Sequence, residues 1–260
     1  MNILFIGDIV GRTGRRLVAE KTPALVQSWD CSLVIANVEN VAAGAGVTPD
    51  TLAQVLKAGV DVATSGNHVF ARPEAVEEMN AMPALVRPLN YPPGAPGRGW
   101  LVAKGHGGER VAVINAAGRV FMDALDCPFR GLDAALAEVA GKAEVTVVDF
   151  HAEATSEKEA MGHYLDGRVA ALVGTHTHVQ TADERVLPGG TAYITDVGMT
   201  GSYEGVIGTE VGPVLTRFVS RMPARFKPLG GKGIFSAVVI AVDRKTGRAT
   251  SIHRIMDREE

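Results

Sequence analysis

The sequence predicts an α/β fold in which mostly parallel β-strands form the centre and helices flank them. Short aliphatic runs with the composition of buried strands alternate with amphipathic helical patterns from residue 2 onward, which is the order of βαβ units. Several of these runs end at an acidic, amide or imidazole side chain, at the edge where open α/β sheets bind ligands. No repeat, linker or low-complexity segment interrupts the pattern, so one domain spanning residues 1–260 is expected.

The first half of the chain predicts three strands and two helices. In order, they are a strand segment at 2–8, a helix from 11 to about 29, a strand at 32–40, a helix at 48–59 and a strand segment at 61–68. Pro23 predicts a kink or an early break in the first helix, because proline lacks the N–H that a helix interior uses. Thr48 followed by Pro49 is typical of an N-cap with proline at the first helical position.

The second half begins with a proline-rich loop at 83–99 and continues with a predicted hairpin. His106 in the hairpin turn is expected to be solvated, and His163 is expected on a helix surface. Ser156 and Glu159 have the spacing of a capping box, which predicts a helix start at Ser156. The remaining predictions are strands at 100–104, 110–115, 145–151, 169–173 and 192–196, helices at 131–141, 156–165 and 213–221, and a closing antiparallel pair at 235–242 and 250–256.

The composition is that of a globular protein and excludes some classes of function. Hydrophobic residues make up 46% of the 260 residues, and the net charge of -3 argues against a protein whose main task is duplex nucleic-acid binding. The two cysteines, Cys31 and Cys127, form no CxxC pair, so reduced thiols are expected. No signal-peptide pattern and no apolar run of about 18 residues is present, so we expect a cytoplasmic protein that does not span a membrane.

The segment Gly174-Thr175-His176-Thr177-His178 directly follows an aliphatic strand. Two histidines spaced in this way pack poorly after a buried run, but neutral imidazole is a common ligand of divalent transition metals. Taken alone, the His-x-His pattern is a weak signal. Other strand ends add weight to it, because they deliver further donors to the same edge of the sheet: Asp8, Glu39, Asn67 and His151.

Each of these four residues also has an ordinary interpretation. Asp8 could cap a turn or helix, and Asn67 after Gly66 could be a plain turn residue. Glu39 could be solvated, and His151 could be a hydrogen-bonded, partly buried histidine. Convergence of all of them at one edge favours a single shared site over separate coincidences.

The donor set indicates metal chemistry. Carboxylate, amide and imidazole donors without thiolate suit Mn, Fe, Zn or Co better than calcium or magnesium. Six or more donors exceed a single tetrahedral zinc site, whereas two metals about 3.5–4 Å apart with a bridging carboxylate would use them all. Such a pair activates water and clamps phosphate oxygens, so the predicted reaction class is phosphoester hydrolysis.

The ordered motifs resemble those of the calcineurin-like metallophosphoesterases. Four motifs between residues 7 and 178 carry the resemblance: Gly7-Asp8, Gly66-Asn67-His68, His151 and Gly174-Thr175-His176-Thr177-His178. Residues 7–12, 37–40 and 196–201 are similar to the bacterial YmdB-type branch. The resemblance implies a metallophosphoesterase sandwich and a phosphodiesterase that hydrolyses cyclic nucleotides, 2',3'-cyclic and possibly 3',5'-cyclic AMP, by attack of metal-activated hydroxide.

The resemblance also implies the roles of individual residues. It places Asp8, Glu39, Asn40 and His178 around a first metal, and Glu39, Asn67, His151 and His176 around a second; the metals would be Fe, Mn or Zn. Asn40 could instead be a hydrogen-bonding partner beside Glu39. The chain departs from the wider family at Val10, where a histidine ligand is usual, and at Glu39, which takes the place of a bridging aspartate.

His68 is expected to act as general acid, or as an electrophile toward the leaving oxygen. Arg12, Gly198 and Met199 are expected to contact the substrate, while Arg15, Arg16 and Arg72 are further candidates. Two alternatives remain open. One is a phosphomonoesterase such as a 5'-nucleotidase, and the other is a metal-bound, nucleotide-binding regulatory protein with weak catalysis. The resemblance also makes a homo-oligomer plausible.

Overall fold

The computed structural model describes residues 1–260 and contains thirteen β-strands, six α-helices and one short 3-10 helix at Met79–Ala81. The strands are β1 (Asn2–Ile6), β2 (Asp8–Ile9), β3 (Cys31–Asn37), β4 (Val62–Thr64), β5 (Trp100–Lys104), β6 (Arg110–Ala117), β7 (Val145–His151), β8 (Ala171–Thr175), β9 (Arg185–Val186), β10 (Ala192–Ile194), β11 (Met199–Ser202), β12 (Gly233–Val242) and β13 (Ala249–Arg258). The helices are α1 (Gly11–Trp29), α2 (Pro49–Lys57), α3 (Pro73–Glu78), α4 (Pro128–Val139), α5 (Thr155–Leu165) and α6 (Val211–Ser220).

The strands form two mixed sheets. The seven-stranded sheet has the order β2-β11-β12-β1-β3-β4, with β13 on β12, and the six-stranded sheet has the order β5-β6-β7-β8-β10-β9. In the first sheet β1, β3 and β4 are parallel, and in the second β6, β7, β8 and β10 are parallel. The antiparallel pairs are the predicted hairpin β5–β6, the predicted closing pair β12–β13, and three further pairs, β1–β12, β11–β12 and β9–β10.

Alternating side chains along the strands separate three apolar layers. On β1, Ile3 and Phe5 face a cluster of 21 buried residues that includes Val113 and Val147 of the second sheet, so this layer lies between the sheets. The intervening Leu4 packs with residues of α1, α2 and α3 in a second cluster. A third cluster packs the outer face of the second sheet against α4 and α5. The result is an α/β sandwich of the kind that the resemblance to the metallophosphoesterases implies.

The helix termini confirm some local predictions and correct others. Thr48 caps α2 in a reciprocal pair with Thr51, and α1 passes through Pro23 without ending there. The capping box predicted at Ser156 is wrong, because α5 begins at Thr155 without a side-chain cap. Glu157 of this segment turns to another strand end, where its carboxylate accepts hydrogen bonds from the backbone N–H groups of residues 119 and 120.

The two ends of the chain meet in the first sheet. Strand β1 pairs with β12, and the amino group of Met1 donates to the carbonyl of Val242 at 2.8 Å. None of the helices combines the length and the apolar composition needed to traverse a lipid bilayer.

Candidate functional site

Five of the polar residues predicted at the strand ends line one pocket: Glu39, Asn40, His68, His176 and His178. Asp8, Asn67 and His151 are not part of the pocket lining, but they lie next to this group. Asp8 follows β1, Glu39 and Asn40 follow β3, and Asn67 and His68 follow β4. His151 ends β7 in the second sheet, and His176 and His178 follow β8. The carboxyl ends of these parallel strands lie at the same edge of the sandwich, where the pocket has a volume of about 440 Å3.

Two sets of possible metal ligands share one carboxylate. Glu39, His151 and His176 form one set, and Asp8, Glu39 and His178 form the other; within each set the ligand atoms lie within 4.8 Å of one another. His151 Nε2 lies 3.0 Å from Glu39 Oε2 and 3.0 Å from His176 Nδ1. Glu39 is thus placed between the two sets.

The two asparagines extend these sets. Asn67 Oδ1 lies 3.0 Å from His151 Nε2. Asn40 Nδ2 donates to Glu39 Oε1 at 2.9 Å and faces His178 Nε2 at 3.1 Å, while its Oδ1 faces His68 Nδ1 at 3.1 Å. Rotation of the Asn40 amide by half a turn would present its oxygen to the same two groups. The geometry therefore accommodates both interpretations of Asn40, as a ligand and as a hydrogen-bond donor.

The donor chemistry fits a bound cation. Asp8 Oδ1 is buried and has no hydrogen-bond partner, which is costly for a carboxylate oxygen unless a cation is bound. A carboxylate oxygen, an amide oxygen and a second imidazole nitrogen all approach His151 Nε2, and a single proton could not satisfy all of them. Gly66 has no side chain, and a Cβ at this position would collide with Glu39 and His151. These residues could therefore hold a metal ion.

The turn that carries His176 and His178 is strained. Both residues adopt a left-handed backbone, with φ of 99° and 67°, at a cost of about 1–3 kcal/mol each. Asp196 holds the intervening residue, because its Oδ2 accepts hydrogen bonds from Thr177 N at 3.0 Å and Thr177 Oγ1 at 2.7 Å. The ammonium group of Lys158 on α5 donates to the same oxygen at 2.7 Å, and both ends of this ion pair are fully buried.

Burial and charge shift the pKa values of the metal-free cluster. Burial raises the pKa of Asp8 to about 6. Burial also opposes a charge on His151, but the nearby carboxylates of Glu39, Asp8 and Asp149 together outweigh this effect and raise the pKa of His151 to about 9. Burial and the neighbouring His151 lower the pKa of His176 to about 4. A bound cation would therefore compete with a proton for His151.

The residues expected to bind substrate do not line this pocket. Arg12 is exposed on α1 and borders a neighbouring groove with Arg16 instead of this pocket. Gly198 and Met199 lie beneath the site, where the Gly198 carbonyl accepts a hydrogen bond from Asp8 N at 3.0 Å. Arg72 donates to the carbonyls of residues 42 and 45, and so supports the loop that follows Asn40.

Other residues form the open side of the pocket. They come from the segments after β11 and after α6: Ile207, Thr209, Phe226, Lys227 and Pro228. Glu153 also lies at the pocket, with its Oε2 3.0 Å from His176 Nε2. The sequence does not predict the loop residues of the pocket, because residues 203–210 and 221–231 carry no periodic pattern. Glu153 could have been found from its position, since it lies two residues after the predicted ligand His151.

Comparisons with known proteins agree with this architecture. The family described as "YmdB-like protein" matches residues 4–255. A Bacillus subtilis protein named 2',3'-cyclic-nucleotide 2'-phosphodiesterase is 47% identical over 260 residues, covering 100% of this chain and 98% of the relative. A solved structure of a hypothetical protein from Thermus thermophilus has a TM-score of 0.93 at 44% identity, with full coverage of both chains.

A second solved structure, described as a novel phosphatase from Mycoplasma pneumoniae, has a TM-score of 0.92 at 31% identity and covers 100% of this chain and 94% of the other. The match across nearly the whole chain, on a sandwich with its donors at one edge, agrees with the resemblance of the motifs. The chain therefore belongs to the YmdB-like protein family.

Proposed function

We propose that this chain is a metal-dependent phosphodiesterase that hydrolyses 2',3'-cyclic nucleotides. The observation that carries the proposal is the pair of ligand sets that share Glu39 beside a pocket of about 440 Å3. That volume is within the range of small-molecule sites. The name of the Bacillus subtilis relative supports the choice of substrate.

Two metal ions, drawn from Fe, Mn and Zn, would bind at these sets. Glu39 would contribute to both sets, with Asp8, Asn40 and His178 holding one ion and Asn67, His151 and His176 holding the other. When bound, such ions supply Lewis acidity at phosphate oxygens and lower the pKa of a water molecule that then serves as nucleophile.

In this proposal His68 protonates the leaving oxygen. Its side chain is 44% exposed at the pocket wall, and its Nδ1 faces Asn40 and Glu39, which leaves Nε2 available to a substrate. Hydrolysis would form a bond between phosphorus and the oxygen of the attacking water and break the bond between phosphorus and O2'. The O2' atom would take up a proton from His68 as it leaves, and the proton released by the water would return to His68 through solvent. The product is a nucleoside 3'-phosphate.

His68→Ala is expected to lower kcat for 2',3'-cyclic AMP by about 100-fold, the lower end of the contribution of a general acid, while metal content stays at the wild-type level. Steady-state kinetics and elemental analysis on the same preparation measure both quantities. His163→Ala is the matched control, because His163 is exposed on α5. Unchanged kcat in metal-loaded His68→Ala would show that another group protonates the leaving oxygen.

The pocket wall supplies a surface for the nucleobase. Phe226 lines the pocket and is 45% exposed, and the guanidinium of Arg217 packs over its ring at 5.4 Å from the centroid. Lys227 and Thr209 add polar groups to the same wall. An aromatic ring beside a phosphate-binding site suits a nucleoside, since stacking on an aromatic side chain contributes about 1–3 kcal/mol per base.

Phe226→Ala is expected to raise KM for 2',3'-cyclic AMP about tenfold with little change in kcat, because about 1.4 kcal/mol of lost stacking corresponds to a factor of ten. Phe218→Ala, at a 72% exposed phenylalanine of α6 outside the pocket lining, should leave KM unchanged. Glycerol 1,2-cyclic phosphate, which has no base, should be hydrolysed equally well by both variants. If Phe226→Ala and Phe218→Ala had the same KM for 2',3'-cyclic AMP, the base would not stack on Phe226.

A substrate panel tests the proposal as a whole. Purified protein loaded with Mn2+ is assayed with 2',3'-cyclic AMP, 3',5'-cyclic AMP and AMP. The proposal requires the highest kcat/KM for 2',3'-cyclic AMP, with 3'-AMP as product. Preferential release of phosphate from AMP would favour the phosphomonoesterase, and the absence of turnover despite bound metal would favour a nucleotide-binding protein.

A further inference from the structure

A buried polar layer lies directly beneath the metal-binding residues, between the two sheets. Its members are the last or near-last inward-facing residues of four strands, and all are fully buried: Asn37, Thr64, Asp149 and Thr175. Alternation along each strand explains their orientation. On β7, for example, Val145 and Val147 belong to the cluster between the sheets, so Asp149 and His151 point the same way.

Asp149 is the centre of this layer. Its Oδ2 accepts hydrogen bonds from Asn37 Nδ2 at 2.9 Å and Thr64 Oγ1 at 2.5 Å, and its Oδ1 accepts one from Thr175 Oγ1 at 2.7 Å. A fully buried carboxylate is costly, and three donors from three other strands offset that cost. The group thus ties together the ends of the strands that carry Glu39, Asn67, His151 and His176.

The contact with Thr175 fixes a hydrogen on Nδ1 of His151. The single hydroxyl proton of Thr175 is donated to Asp149, so the hydroxyl oxygen can only accept from His151 Nδ1, which lies 2.9 Å away. Nδ1 therefore carries a hydrogen, and Nε2 is the nitrogen that faces Glu39 and Asn67. With the hydrogen of Nδ1 held in this way, Nε2 is the nitrogen that would bind a metal ion.

The contact with Asn37 positions the backbone of Glu39, whose carboxylate the two ligand sets share. Because Asn37 Nδ2 is held by Asp149, its Oδ1 points toward the chain beyond β3 and accepts a hydrogen bond from Glu39 N at 3.0 Å. Asp149 thereby supports two of the proposed ligands through one intervening side chain each.

We infer that Asp149 is a positioning residue, which through Thr175 fixes the tautomer and ring orientation of His151, and through Asn37 fixes the backbone that carries Glu39. We expect this positioning to tighten metal binding, since residues that hydrogen-bond to metal ligands typically change metal affinity by about 10–100-fold. The inference rests on the proposed metal-dependent function. It assigns Asp149, Thr175 and Asn37 no contact with substrate.

Thr175→Val tests this inference because it removes the hydroxyl and keeps the branched shape of the side chain. Thr175→Ser retains the hydroxyl, and Thr191→Val is a control for the loss of a buried hydroxyl elsewhere, since Thr191 Oγ1 donates to the Val169 carbonyl at 2.7 Å. Zinc affinity of metal-stripped protein is measured by competition with a chromophoric chelator. The tautomer of His151 is read from 15N shifts of the zinc-loaded protein.

Zinc affinity of Thr175→Val at one of the two sites is expected to fall at least tenfold, while both affinities of Thr175→Ser and Thr191→Val stay within about threefold of wild type. His151 should carry its hydrogen on Nδ1 in the wild type. Equal zinc affinity of Thr175→Val and wild type, or a loss shared equally by Thr191→Val, would overturn the positioning role alone. A wild-type protein that binds no zinc, manganese or iron would instead overturn the proposed function, and this inference with it.

Discussion

Glu39→Gln is expected to lower kcat/KM for 2',3'-cyclic AMP on the order of 10³-fold or more and to reduce metal content below two ions per chain. The substitution keeps the shape of the side chain but removes the charge that both ligand sets share. Lewis-acid stabilisation by bound metal amounts to several kcal/mol, and each 1.36 kcal/mol corresponds to a factor of about ten in rate. Elemental analysis and steady-state kinetics measure the two effects.

Glu157→Gln is the matched control for loss of a glutamate charge. Glu157 is largely buried, but its carboxylate accepts backbone hydrogen bonds from Arg119 and Val120 and belongs to neither ligand set. It should retain wild-type metal content and kcat. If Glu39→Gln retained two metals and lost less than tenfold in kcat/KM, Glu39 could not be the bridging ligand.

Lys158→Met is expected to lower the free energy of unfolding by about 3–5 kcal/mol. The substitution removes one partner of a fully buried ion pair and leaves the Asp196 carboxylate without its counter-charge. For a chain of this size, the melting temperature should fall by roughly 2–4 °C per kcal/mol. Urea unfolding of the metal-free protein, followed by circular dichroism, measures the loss.

An exposed ion pair of the same length provides the comparison. Lys21 Nζ lies 2.7 Å from Asp257 Oδ2, and both side chains are substantially exposed. Lys21→Met should therefore cost about 1 kcal/mol or less. Similar losses for the two variants would mean that the Lys158–Asp196 pair contributes no more than a surface contact. The buried pair also supports the turn of His176 and His178 through Thr177, so Lys158→Met should weaken metal binding as well.

Most of the proposed ligands could be predicted from local patterns, because they lie at or shortly after the end of an aliphatic run and the carboxyl ends of parallel strands meet at one edge. Asn40 and the division into two sets came from the resemblance to the metallophosphoesterases. Asp8 and His178 are 170 residues apart in sequence, yet no long-range information was needed to place both at that edge. The general α/β character follows from the same alternation of strand and helix patterns.

The division into two sheets could not be predicted in the same way. Strands such as β1 are apolar on both faces, so periodicity does not show that Ile3 and Phe5 face a second sheet while Leu4 faces helices. The order of the strands depends on hydrogen bonding between segments that are far apart in sequence, such as β1 and β12.

The supporting residues were harder to predict than the ligands. Lys158 lies in a polar segment that is typical of an exposed helix start, and it is buried only because Asp196, 38 residues later, pairs with it. Asp149 gave a clearer signal, since an aspartate within an aliphatic strand is unusual and requires partners. Those partners come from three other strands, and a single sequence does not identify them.

The central claim is that two metal ions bound around Glu39 are needed for cleavage of a cyclic phosphodiester. The most direct test is to add Mn2+ stepwise to metal-stripped protein at a concentration well above the dissociation constants, and to follow hydrolysis of 2',3'-cyclic AMP. We expect the rate to rise from near zero and reach a plateau at two equivalents per chain, with 3'-AMP as the product. A plateau at one equivalent, or hydrolysis that is independent of added metal, would contradict the account.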